Sequence, residues 1–408
     1  AIGVGSGLKL DELLEDLRKA EKKSLVVIQN RQVANTNKIS AYGQLKSGLS
    51  ELQAAAKKLN SDDLYGAVKT TANSEDIKVS GTAKAAPGQY SIKVTSLATR
   101  QTLTAPAQAT RDTALGEGGK ITVTLANGKE HSLDMSGKDT SLQGVMNAIN
   151  ADAELGIKAT IINTGNPTKP YHLQLSAAET GESASVTSIK VEDNDTLAEV
   201  LNIDVDSENP EAGGFLHVAA NNAKLTINGI PIISESNTLK DTVEGLEITL
   251  NKASSETINI DVSKDNTKAA EAIKEYVAAY NKFNTSIRSL TAYNPDLKQG
   301  SALSGDSLAR EAQNAMREAT LGHVNGDGEI RTLIGLGINL NPKTGELEID
   351  DKKLDAALKN NMADVQKMFV GEQAIAGRVQ KAAEDFVKKG GRIDKAQEGA
   401  EKIGKTLQ

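Results

Sequence analysis

Cysteine and tryptophan are absent from the sequence, and aromatic residues make up 3% of its 408 positions. Without cysteine there is no disulfide scaffold, no thiolate ligand for zinc and no thiol nucleophile. So few aromatic rings leave little material for aromatic-centred cores or for platforms that stack nucleobases. Positive charge is not in excess either: the net charge is -7, which argues against nucleic acid as a partner. No run approaches the roughly 18 apolar residues of a membrane-spanning helix. The first residues show no basic stretch followed by an apolar one, so no cleavable secretory signal is visible. Apolar residues reach only 38%. Over this length that suits several domains, part of whose burial comes from neighbouring subunits.

Reactive constellations are also missing. His131, His172, His217 and His323 stand far apart, with no second ligand at metal spacing. Asp204-Val205-Asp206 resembles the opening of a calcium loop, but Asn209 occupies the position that needs glycine and no glutamate stands at the twelfth. Asn325-Gly326-Asp327-Gly328-Glu329 fails on spacing too, and both read as turns. Gly3-Val4-Gly5-Ser6-Gly7 follows no strand and lacks the lysine of a phosphate loop. No catalytic, metal or cofactor site is assigned, and the protein is not read as an enzyme.

What is present is periodicity. After a small, glycine-bearing start, Leu8, Leu10, Leu13, Leu14 and Leu17 follow at near-helical spacing. From residue 39 the pattern tightens: Ile39, Tyr42, Leu45, Leu49, Leu52, Ala56 and Leu59 step by three and four. That spacing serves a coiled-coil seam or an amphipathic helix packed on a domain equally well. It stops near Ala72 and returns abruptly at Thr267, where Ala269, Ile273, Tyr276, Tyr280, Phe283, Ile287 and Leu290 alternate steps of four and three. Asp265 to Thr267 offers candidate caps. The spacing predicts that this helix packs against the 39–59 helix. The tail resumes a seam through Ile375, Val379, Ala382 and Phe386, then Ile393, Ala396, Ala400 and Ile403, with Gly390-Gly391 breaking it in two.

Between the helical ends the period is two. Ile77-Lys78-Val79 and residues 90–94 alternate as strands about a Pro87-Gly88 turn, and 97–100 continue the run. Ile121, Val123 and Leu125 lead into an Asn127-Gly128 turn. Leu142, Val145 and Ile149 fit a short helix, and 157–162 and 171–175 read as strands. Residues 182–214 are polar and glycine-bearing and read as loop-rich. In 225–250, Asn228-Gly229 joins two strands in a tight hairpin, and Pro231 marks the second as an edge or bulged strand. Thr238 is placed to cap a helical turn over Leu239 and Val243 that Gly245 would stop, before Leu246, Ile248 and Leu250 alternate again.

The wording of these segments is more specific than their periods. Thr226-Ile227-Asn228-Gly229, Asn237-Thr238-Leu239, Gly245-Leu246 and Ile248-Thr249-Leu250 resemble the central motif of bacterial flagellar filament-capping proteins, the hook-associated protein 2 family. Gly5-Ser6-Gly7-Leu8 and Lys38-Ile39-Ser40-Ala41-Tyr42 are similar to that family's N-terminal signature, with Lys9 departing from it. Asn150-Ala151, Gly156-Ile157 and Thr180-Gly181 resemble its middle. Tyr280-Asn281, Leu303-Ser304-Gly305-Asp306, Leu336-Gly337-Ile338 and Thr344-Gly345-Glu346-Leu347 resemble its second half.

The expected fold is multidomain α+β: helical, coiled-coil-like termini form a leg, with two discontinuous β-rich domains inserted between them. An N-terminal leg covers 1–42. A helical domain takes 43–71 and 267–372, with a short β hairpin near 338–349. A β-rich domain takes 72–104 and 221–266, an inserted β-rich domain with a short helix takes 105–220, and a C-terminal leg covers 373–408. The resemblance implies a further helical segment after Gln408, so the C-terminal leg is expected without its familiar end. Leu8, Leu10, Leu13, Leu14, Leu17, Ile375, Val379, Phe386 and Ile393 are assigned to the leg's assembly interface. Ile39, Tyr42, Leu45, Leu49, Leu52, Ile273, Tyr276, Tyr280, Phe283 and Ile287 are assigned to the helical-domain seam, and Asn228 and Gly229 to the motif turn.

The resemblance further implies a homo-oligomeric ring at the growing flagellar tip. β domains would form a plate and helical legs would rest on the filament end. Exported flagellin would fold and insert beneath by confinement and interface exchange. It implies an export chaperone and secretion to the flagellum without a cleaved signal. Competing readings are an adhesin or glycan-binding surface protein, and another flagellar axial protein.

Overall fold

A computed structural model describes residues 10–205, 214–296 and 298–407. The protein forms two compact units, one from residues up to 67 together with those from 265 onward, the other Val68–Lys264. The first helix, α1 (Leu10–Leu59), runs for 50 residues without a proline, a length of about 75 Å. The boundary expected at 42 therefore falls inside one continuous helix. A single turn, α2 (Asp62–Tyr65), ends this segment, with the Tyr65 hydroxyl donating to the Leu59 carbonyl at 2.8 Å.

The second unit begins with β1 (Val68–Ala72), β2 (Ile77–Gly81) and β3 (Gly88–Ser96). The backbone then leaves for the insert. This comprises β4 (Thr102–Thr104), β5 (Lys120–Leu125), β6 (Glu130–Asp134), α3 (Leu142–Ala151), β7 (Ile157–Asn163) and β8 (Tyr171–Ala177). β9 (Val186–Glu192), α4 (Asp195–Leu201), β10 (Ile203–Asp204) and β11 (Leu216–Val218) complete it. The return path is β12 (Ala223–Ile227), β13 (Ile230–Ser234), β14 (Thr238–Val243), β15 (Leu246–Leu250) and β16 (Ile258–Lys264).

Outgoing and returning strands interleave in two antiparallel sheets, β1-β16-β3-β12-β13 and β14-β15-β2. Ile92, Val94, Leu225, Ile248 and Ile260 form their core. The insert has its own sheets, β10-β9-β5-β6 and β11-β4-β8-β7. Its separate core includes Val123, Val145, Leu173, Leu197 and Phe215.

Four expectations need correction here. Thr238 begins a strand and caps no helical turn. Leu239 lies opposite Ile248 in the ladder, and the Asn237 side chain bonds both backbone groups of Ala98, at 2.7 and 2.9 Å, as a neighbouring strand would. Within the stretch 182–214, expected to be loop-rich, the described residues 182–205 are mostly strand and helix. Asn194 caps α4 by accepting from the Leu197 N–H at 3.0 Å, and its amide donates to the Leu115 and Gly118 carbonyls. The strand expected through 97–100 stops at Ser96, leaving Thr99 only a bridge to Asn221. Residues 102–104 belong to the insert, because β4 pairs with β8 and Leu103 is buried in the insert's core.

The first unit resumes with α5 (Thr267–Thr291), where the Asp265 carboxylate accepts from the Thr267 N–H at 3.0 Å. A two-residue ladder, β17 (Tyr293–Asn294) with β18 (Gln299–Gly300), precedes α6 (Ser307–Leu321), which Asp306 caps by accepting from the Ala309 N–H at 3.0 Å. The hairpin β19 (Ile338–Leu340) and β20 (Leu347–Ile349) turns on Asn341. Four helices follow: α7 (Asp351–Asn360), α8 (Met362–Phe369), α9 (Ile375–Val387) and α10 (Arg392–Thr406). Gly390 takes a left-handed φ of 69° between the last two, which lets the backbone reverse there.

Candidate assembly surface

The lower half of α1 is fully occupied. Tyr42, Leu45, Leu49, Leu52, Ala56 and Leu59 are buried in one core with Ile273, Tyr276, Tyr280, Phe283 and Ile287 of α5. Ile39, at the upper edge, is half-buried. Exposed ion pairs Lys58–Glu275 and Lys282–Glu51, both 2.6 Å, flank the α1–α5 contact. Here the steps of three and four mark an intramolecular seam.

The tail residues assigned to an assembly interface require correction. Ile375, Val379 and Ile393 are fully buried and Phe386 nearly so, all in the core of the helical unit. α9 turns its apolar face onto α1 and α6, and the Arg378 guanidinium caps the end of α6 by donating to the Ala319, Gly322 and His323 carbonyls. The tail's periodicity is spent on its own bundle, and Ile403 is its exposed apolar residue.

α10 then runs antiparallel along the middle of α1. Lys46 pairs with Asp394, Gln397 donates to the Ile39 carbonyl at 3.2 Å, Asn35 to the Ala400 carbonyl at 2.7 Å and Gln32 to the Leu407 carbonyl at 2.8 Å. The core register of α1, carried upstream in alternating steps of three and four from Tyr42, meets Lys38, Asn35, Arg31, Ile28, Ser24 and Glu21, then Leu17 and Leu14. The seam is thus polar beside α10, and such positions fix register at a cost in stability.

Past Gln32 every residue from 12 to 31 is exposed. Leu13, Leu14 and Leu17, at 60%, 45% and 54% exposure, lie open on the surface. Leu8 falls outside the described residues, as does the side chain of Leu10. Sequence reasoning missed the neighbouring run Leu25-Val26-Val27-Ile28, each residue 40% or more exposed. Four consecutive apolar residues wrap most of a helix circumference, so this run cannot be covered from one side alone. That run was the available signal.

At the motif turn, Asn228 and Gly229 take φ of 50° and 81°, as a tight two-residue hairpin requires, and β13 with its Pro231 is the edge of its sheet. The histidines are dispersed. His131 pairs with Asp152 at 3.2 Å, His172 meets the Ala105 carbonyl at 2.8 Å and His217 meets Gln101 at 3.2 Å. Among the described residues no three His, Cys, Asp or Glu side chains gather as metal ligands do.

N- and C-terminal helices that bracket a β-rich middle define the class: a multidomain α+β protein. Residues 6–101 match the family model described as flagellar hook-associated protein 2 N-terminus, and residues 220–408 the one described as its C-terminus. Flagellar hook-associated protein 2 of Escherichia coli K12 is 34% identical over 384 residues, covering 91% of this chain and 80% of that protein. Its Salmonella typhimurium counterpart is 36% identical over 423 residues, covering 100% of this chain and 88% of that protein. The solved D1-D2-D3 domains of the flagellar cap protein FliD from Escherichia coli superpose with a TM-score of 0.78 at 32% identity, over 88% of this chain and 99% of theirs. The chain belongs to the flagellar hook-associated protein 2 family of flagellar cap proteins.

Proposed function

We propose that this protein is a subunit of a homo-oligomeric cap at the distal tip of the bacterial flagellum. The observation that carries the reading is the apolar surface of α1 upstream of Gln32, which no described segment covers. Burying one such leucine fully is worth about 1.5–3 kcal/mol. A few of them per subunit therefore supply ample driving force for the α1 leg to dock on the filament end and on neighbouring legs. Copies carrying a net charge of -7 repel one another. Screening confines that repulsion to about 8 Å at physiological ionic strength, so short-range apolar packing decides assembly.

In this mechanism no covalent bond changes. The ring encloses a space in which exported flagellin folds, and flagellin joins the filament as leg contacts break and reform one step further on. The subunit reaches that site by flagellar export, held by a chaperone. The test pairs electron microscopy of the purified protein with complementation of a strain that lacks its own cap. Rings bearing legs and restored filaments are the expected result. A protein that remains monomeric at every concentration and restores no filaments would overturn the proposal.

A further inference from the structure

We propose that Asn325 is a site of spontaneous deamidation, set apart from the other Asn-Gly pairs by the freedom of its reacting groups. The sequence holds three such pairs, Asn127-Gly128, Asn228-Gly229 and Asn325-Gly326. In the reaction the backbone nitrogen of the glycine attacks the carbonyl carbon of the asparagine side group. A bond forms between that nitrogen and that carbon, closing a ring. The bond from the same carbon to the amide nitrogen breaks, and the amide leaves as ammonia carrying the backbone proton. Water then opens the cyclic imide at either carbonyl, giving aspartate or its iso form with one extra methylene in the backbone. Nothing is oxidised or reduced, and water is the sole co-reactant. Glycine favours the attack because no Cβ crowds its nitrogen, and asparagine is among the thermolabile residues.

Two of the three pairs are locked against this geometry. At the first, the attacking Gly128 N–H is already donated to the Leu125 carbonyl at 2.9 Å, and Asn127 Oδ1 accepts from the Lys129 N–H at 2.9 Å. At the second, Asn228 Oδ1 accepts from the Ser91 N–H at 2.8 Å, and the Asn228 backbone N–H donates to the Ser91 carbonyl at 2.8 Å, which pins the residue to the neighbouring strand. At the third, Asn325 is exposed, and among the described residues neither its side-group amide nor the Gly326 N–H has a hydrogen-bond partner. Both groups are free to reach a near-attack arrangement.

The product lands in a loop held by few ties. The Gly326 carbonyl accepts from Arg331 at 3.3 Å, and Asp364 accepts from the Glu329 N–H at 2.9 Å. A carboxylate at 325 adds to the negative charge of Asp327 and Glu329, and an iso-aspartyl link lengthens the backbone beside the Arg331 contact. The modified molecule is therefore a slowly accumulating acidic form with an altered surface at the C-terminal end of α6.

The experiment incubates the intact protein in mildly alkaline buffer at physiological temperature. It follows each Asn-Gly peptide by mass spectrometry, with isoaspartyl methyltransferase labelling to identify the iso product. Asn325 should convert at least about tenfold faster than Asn127 and Asn228, since each 1.4 kcal/mol of bonding that must break before attack is tenfold in rate. In denaturant the three rates should converge, and Asn325→Gln should abolish the early acidic form. Equal rates in the folded protein would overturn the proposal. So would an Asn325 that stays intact while the denatured protein converts, or one that remains equally favoured in denaturant.

Discussion

The Tyr42 hydroxyl donates to Asp306 Oδ2 at 2.7 Å, joining α1 to the residue that caps α6 264 positions further along the sequence. The other oxygen of Asp306 accepts from the Ala309 N–H, and Lys38 lies 3.4 Å away. Burial works against the charge on Asp306, but the Tyr42 hydroxyl, the Ala309 N–H and Lys38 outweigh it and hold the carboxyl below its ordinary value of 3.8. A lowered folded-state value means the stabilisation is present above 3.8 and is lost as pH falls through the folded value. Replacing Asp306 by Ala removes a helix cap and orphans a hydroxyl, for a cost of about 2–4 kcal/mol at neutral pH. Denaturant titrations of both proteins should show that gap closing in acid. A gap that stays constant to low pH would refute the linkage.

At the alkaline end the sign reverses. Burial raises the hydroxyl pKa of Tyr42, Tyr65, Tyr276 and Tyr280, with Asp306 adding to the effect at Tyr42. The unfolded state gives up these protons near the ordinary value of 10.0, before the folded one does. Their contribution is therefore complete below that pH and declines as pH rises past it. The denaturation midpoint of the helical unit should fall steeply above pH 10.0, and Tyr276→Phe should flatten the decline. A midpoint that does not move across that range would contradict the account.

The α1–α5 seam carries the helical unit's stability. Ile273 is fully buried and Phe283 nearly so. Phe283 packs beside Gly48 of α1, where a Cβ would meet its ring at 3.4 Å, an ordinary van der Waals contact. Ile273→Ala or Phe283→Ala should each cost roughly 2–5 kcal/mol in urea unfolding, with little change in slope. Losses below about 0.5 kcal/mol at both sites are the size of surface substitutions and would mean that the seam is not packed.

How much of this was readable follows from what each signal encodes. Asn228-Gly229 announces its hairpin because the left-handed φ of the turn is a local demand on those two residues. Thr238 misleads because its strand is set by pairings that local spacing does not encode: Thr238 with Thr249 across the ladder, and the neighbouring Asn237 side chain with Ala98, 139 positions away. α4 is seven residues long, too short for its period to stand out from polar surroundings. The tail's steps of three and four correctly mark a buried face, but period alone does not say whose helix covers it, and Ile375, Val379, Phe386 and Ile393 are covered within their own bundle. For the same reason the leading leucines read as a stripe without revealing what covers it.

Strand pairing sets where the β unit can be cut. β1 pairs with β16 from Val68↔Lys264 to Ala72↔Ile260, so a fragment that begins at residue 72 loses its edge strand. The fragment Val68–Lys264 should give a β-type circular dichroism spectrum and one cooperative melt. Starting at 73 instead should lower the melting temperature by several degrees or more, since β16 is then left with an unpaired edge. A disordered or mainly helical 68–264 fragment would refute autonomy. Equal melting temperatures would show that β1 adds nothing.

On the proposed function, Leu13, Leu14 and Leu17 should separate folding from assembly. All three are exposed on a stretch of α1 that lies beyond its last described partner, Leu407. Replacing all three with Gln keeps helix propensity nearly constant. Such surface changes normally shift stability by no more than about 0.5 kcal/mol each. The melting temperature should therefore hold. Docking is different: each leucine buried in an assembled leg is worth about 1.5–3 kcal/mol, and three lost together weaken the contact by several orders of magnitude. Cells that carry the triple variant should secrete the protein yet build few or no filaments, with unpolymerised flagellin in the medium. The paired measurement is thermal melting of the purified variant and flagellar length in the complemented strain. Normal filaments would show that these leucines are dispensable for capping, and a large drop in melting temperature would place them in the monomer's core.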